Sequence, residues 1–179
     1  MTAKPNDPLL LFGRMLAVFL QGASALGAGI VLIMVPVLAL ASQDKLPESL
    51  GLDGLEILEA SPLSVIAICV MLAVICAALF AFFGKMRRII VSVGEGDPFI
   101  AQNAERLSSM AWLLLLVQGL AVIVGFVRLY LANLVSGEAE QVTFSVYDLK
   151  GLVMVLVLFI LARVFRHGAA MRADLEGTV

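Results

Sequence analysis

Charged residues fall at intervals along this chain, and the stretches between them are long and apolar. The first run, residues 15–42, carries no charge. At 1.5 Å per residue it reaches roughly 40 Å, longer than the ~30 Å hydrocarbon core of a bilayer, so a tilted or kinked helix is predicted. Pro36 is the natural kink. The second run, 62–84, is uncharged, alanine-rich and of good spanning length. The third, 107–127, has one mid-span polar residue, Gln118. The fourth is interrupted, because Lys150 and Arg163 leave only twelve uncharged residues between them. That is about 18 Å, too short to span. Both side chains can snorkel to the headgroups and extend the span. The pattern predicts an all-α, four-helix integral membrane bundle forming one domain, with spans at about 12–41, 62–84, 107–130 and 147–166.

The polar segments differ in kind. Residues 43–61 form an acidic loop with Asp44, Glu48, Asp53, Glu56 and Glu59 against Lys45. Residues 135–148 form a second loop that carries acids and no base, with an alternating stretch, 141–147, that predicts a short strand or an extended segment at the interface. Between runs two and three lies an elbow, 85–106, with the dense polar sequence from Gly94 to Leu107 at its centre. Asp97 is predicted to cap a short helix opening at Pro98, where proline needs no amide partner. Asn103 is predicted to cap a second helix start. Beyond the fourth span, residues 167–179 continue as an amphipathic extension of that helix.

Small residues mark expected helix contacts. Ala23 and Gly27, and Ala25 and Gly29, form pairs four apart on the first helix; Ala73, Ala77 and Ala81 form a ridge on the second. Gln118 is expected to hydrogen-bond across helices, with Gln21 as partner.

Composition identifies the solvent. With 61% of 179 residues in the hydrophobic class, the chain exceeds the 45–50% typical of soluble domains. Cys69 and Cys76 lie in one apolar run, where helix geometry keeps them roughly 10 Å apart and unable to bridge. The net charge of −2 gives no basic excess for nucleic acid. Charge distribution sets the topology instead. With four spans and both ends on one side, that side holds Lys4, Arg14, Lys85, Arg87, Arg88, Arg106, Arg163, Arg166 and Arg172, nine of the twelve basic residues. The bias predicts that both termini and the elbow face the cytoplasm.

Catalytic chemistry is not evident. No nucleophile elbow, zinc-protease motif, phosphate loop or dinucleotide fingerprint occurs. The single histidine, His167, sits beside Arg166 on the exiting helix, and no span carries an acid at mid-depth. The chain is therefore expected to be no enzyme and to need no cofactor or metal. Its information is concentrated on the inner surface, where Asp97, Pro98, Phe99, Asn103 and Arg106 of the elbow and Arg166, Arg172 and Asp174 of the tail are expected to form one interaction platform.

Gly96-Asp97-Pro98-Phe99, followed by Asn103 and Arg106-Leu107, resembles the central signature of a bacterial membrane family, the domain-of-unknown-function 2975 family. The ending from Phe165-Arg166-His167-Gly168 through Arg172 and Asp174 is similar to that family's C-terminus. The resemblance implies a small four-span protein of the bacterial cell inner membrane, without an assigned activity. It also implies a cytoplasmic protein partner, such as a small helix-turn-helix regulator, since such families are often encoded beside one. Expected partners are thus the lipid bilayer, that regulator and a second copy of the chain, with no direct contact to nucleic acid. The competing expectation is a small oligomeric transporter or channel, with Gln21, Gln118 and Arg128 lining its path.

Overall fold

A computed structural model describes residues 8–43, 61–136 and 146–176. Four helices account for almost all of them: α1 (Pro8–Ala41), α2 (Pro62–Gly94), α3 (Ala101–Ser136) and α4 (Val146–Glu176). Each is long and apolar enough to cross a membrane. Only 6%, 6%, 11% and 17% of their most apolar windows are buried within the protein, so most of this apolar surface would face the solvent. Water would penalise such a surface heavily, whereas hydrocarbon does not. This is a multi-pass membrane protein. No strand occurs among the described residues. The two loop readings fall mostly outside them, at 44–60 and 137–145; Val146 and Tyr147, the end of the alternating stretch, are already in α4.

Packing runs chiefly between neighbours in sequence: α1 on α2, α2 on α3 and α3 on α4. Contacts at the glycines set the antiparallel register of the first pair. A Cβ built on Gly13 would meet Ile90 Cδ1 at 3.5 Å, and one on Gly27 would meet Cys76 Sγ at 3.3 Å. Gly27 therefore serves as the expected site of close approach, and Cys76 is the small, soft group that fills it. Both cysteines are free thiols. Pro36 lies inside one unbroken helix.

Other small-residue expectations need correction. On α2 the buried alanine is Ala78, while Ala77 of the predicted ridge is exposed. Ala23 and Ala25 on α1 are likewise exposed, and Ala17 is the buried one. In a helix that is apolar on every side, spacing shows that small residues share a face, but not which face turns inward.

Gln118 and Gln21 do not meet. The Gln21 amide Nε2 lies 3.0 Å from where a Cβ on Gly84 would stand, in the α1–α2 contact. The Gln118 amide occupies the place a Cβ on Gly151 would take, in the α3–α4 contact. Each glutamine is accommodated by a glycine on its own antiparallel neighbour rather than by the other glutamine.

The main core cluster sits toward the elbow end. Leu107, Met110 and Ala111 of α3 pack on Leu158 and Ala162 of α4, with Phe82, Met86 and Ile89 of α2 against them. Trp112 is mostly exposed but lies edge-on to Phe159, with ring centroids 5.4 Å apart. The elbow thus leads directly into this core cluster.

Candidate functional site: the elbow and the end of α4

The chain leaves α2 through a glycine stop. Glu95 ends the helix, and Gly96 follows with φ of 85°. The Gly96 N–H donates to Val93 O at 3.1 Å, and the Asp97 N–H donates to Ser92 O at 3.0 Å. These two bonds form a Schellman closure, which needs a residue tolerating positive φ at Gly96. Asp97 is therefore committed to the end of α2. It does not cap a helix at Pro98, since residues 97–100 are non-helical and α3 opens at Ala101. The expected single helical turn there is replaced by a non-helical link.

Asn103 also differs from its expected role. It lies inside the first turn of α3, its backbone N–H donating to Ile100 O at 2.9 Å, and is fully buried. Its side chain pins the elbow together. Nδ2 donates to Ser92 Oγ at 2.7 Å and to Pro98 O at 2.9 Å, and Oδ1 accepts from Arg106 Nη1 at 2.8 Å. Both amide protons and the carbonyl oxygen are thus used. The Ser92 hydroxyl in turn donates to Ile89 O at 2.8 Å. A buried polar group is tolerated when its bonds are made, and here they join the last turn of α2, the link and the first turn of α3. Ser92 was not expected from the sequence. Its signal is a lone hydroxyl in an apolar run, eleven residues before a buried asparagine.

The end of α4 closes over this unit. Arg172 Nη1 forms an ion pair with Asp97 Oδ1. Phe99 lies between Phe165 and Gly168: its ring centroid is 5.2 Å from that of Phe165, and its Cδ1 is 2.8 Å from where a Cβ on Gly168 would stand. The absence of a side chain at Gly168 makes room for the ring. Asp97, Pro98, Phe99, Asn103, Arg106 and Arg172 are therefore brought together. Arg166 and Asp174 lie exposed on the same end of α4.

The ion pair has a measurable consequence. Both partners are a little under half exposed, so the pair adds at most about 1 kcal/mol to global stability. Its larger effect is on fraying of the last helical turns. Replacing Asp97 with Asn should speed trypsin cleavage after Arg172 while leaving the unfolding midpoint almost unchanged. Equal cleavage rates in wild type and variant would mean that Asp97 does not hold the tail.

A family described as a protein of unknown function, DUF2975, matches residues 55–179. The chain belongs to this family. The DUF2975 match includes α2, the elbow, α3 and the whole of α4, so the pin and the Asp97–Arg172 closure lie inside the family's defining region. No curated protein and no solved structure matches the chain.

Proposed function

We propose that this DUF2975 protein is a non-catalytic regulatory or scaffold protein of the bacterial cell inner membrane. Both termini and the elbow face the cytoplasm, and the elbow end presents the binding surface for a cytoplasmic protein partner such as a small helix-turn-helix regulator. The observation that carries this reading is the closure of the tail of α4 on the elbow through Asp97–Arg172 and Phe99–Gly168. A loop and a tail that served only as connections would need neither. Joined, they form a shaped surface on which Arg166 and Asp174 stand exposed beside the closure. The orientation rests on the excess of basic residues at this end.

The polar residues of the transport alternative lie in three places. Gln21 lies in the α1–α2 contact and Gln118 in the α3–α4 contact. Arg128 lines a recess with Val65, Ile68, Cys69, Leu131 and Ala132, between α2 and α3 at the end away from the elbow. Each of the three thus sits in a helix contact of its own.

The test is a pull-down from native membranes with the full chain and with a chain lacking residues 164–179. A cytoplasmic protein should co-purify with the first and be lost with the second, and Arg166→Ala should weaken it without loosening the tail. Equal recovery from all three would overturn the reading.

A further inference from the structure

Beside the pin, on the face covered by α1, four arginines surround one recess. Arg14 of α1, Arg87 and Arg88 of α2 and Arg106 of α3 line a cavity of about 370 Å³. Glu95 is the one carboxylate in its lining, and Ile100 contributes apolar wall. Among the described residues, no carboxylate is within ion-pair distance of Arg14, Arg87 or Arg88. Arg106 is held by the Asn103 carbonyl, a neutral acceptor. Four guanidiniums facing one cleft whose single carboxylate is Glu95 leave a net positive field that favours an outside anion.

The arginines are also at one height. Gly13 stands opposite Ile90, which puts Arg14 beside the turn that carries Arg87 and Arg88. Asn103 bonds to Ser92, and Arg106 lies one turn further toward that same level. Arg14 is followed directly by the uncharged run beginning at Met15, and Arg106 by Leu107. The cleft therefore opens at the edge of the hydrocarbon. Phe12 and Met15, next to Arg14, are both 64% exposed and give the lipid-facing flank of this helix.

We propose that this cleft is a binding site for a phosphate-bearing anion, supplied by the headgroup of an anionic phospholipid. Guanidinium groups match phosphate oxygens with paired, charge-assisted hydrogen bonds, and several arginines around one recess can share one phosphate. The position at the hydrocarbon edge selects the lipid over a soluble anion: the phosphate enters the cleft while the acyl chains lie along the exposed face of α1. Net negative charge on the lipid favours phosphatidylglycerol over phosphatidylcholine, whose choline would bring a cation into the same field.

Native mass spectrometry of the full chain released from detergent, after titration with each lipid, tests the site. Phosphatidylglycerol should bind at least about tenfold more tightly than phosphatidylcholine, and Arg14→Gln with Arg87→Gln should abolish most of that preference. Arg128→Gln with Arg163→Gln removes equal charge outside the cleft and should leave the preference intact. If both double variants behave alike, the cleft is not the site. If inorganic phosphate at millimolar concentration displaces phosphatidylglycerol, the cleft takes a soluble phosphate and the lipid assignment fails. Should the glutamine pair not fold, Arg14→Lys with Arg87→Lys keeps the charge but loses the paired donors. Phosphatidylglycerol binding should then drop severalfold, and no drop would overturn the proposal.

Discussion

Asn103→Ala should destabilise the protein by on the order of 2–3 kcal/mol, because it removes three hydrogen bonds from a fully buried site. The cost exceeds a simple sum of weak bonds for a physical reason. Ser92 Oγ, Pro98 O and the Arg106 guanidinium all lose a partner at once, and alanine offers none of them a replacement. Water entering the small void would recover only part of the loss. Reversible unfolding in mixed micelles measures the change. The variant should also loosen the α2–α3 link, so hydrogen exchange at residues 97–103 should rise well before global unfolding. A loss under about 0.5 kcal/mol, in the range of ordinary surface substitutions, would show that Asn103 is not the pin.

Gly151→Ala should be neutral or cost up to about 1 kcal/mol, although glycine to alanine inside a helix normally stabilises. The usual gain is lost because the Gln118 amide occupies the place of the added Cβ. Either Gln118 gives up its seat or α4 moves away from α3. The pair should therefore be strongly non-additive. In a Gln118→Ala background the same glycine substitution should be close to neutral or stabilising, giving a coupling of roughly 1 kcal/mol or more. Equal effects of Gly151→Ala in both backgrounds would refute the contact. Gly84 offers a milder comparison, since Gln21 Nε2 stands 3.0 Å from the place an added Cβ would take and need shift only slightly.

These two sites show where sequence reasoning reached and where it stopped. Gln118 was recognisable as a packing group, but its partner was not, because a glycine's importance lies in the atoms it lacks. Asn103 was recognisable as structural, but as a cap. The helix start signals around it, proline and asparagine after an aspartate, fit a cap equally well on local grounds. The Schellman closure at Gly96 consumed the Asp97 amide, left residues 97–100 non-helical and moved the helix start to Ala101. Asn103 then fell inside the helix, facing Ser92 across the elbow.

By itself, the sequence determined that there are four long apolar helices, that lipid surrounds them, and that the basic residues gather at the end holding the elbow and the tail. Those properties are sums along the chain, and they survive any rotation of a helix about its axis. The tertiary structure decided everything that depends on rotation and register: Ala78 rather than Ala77 turned inward, Gln118 over Gly151, Asp97 paired with Arg172, and four arginines around one cleft. Helices that are apolar on all sides carry no stripe to say which side is the inside. Only contact with the neighbouring helix makes that choice.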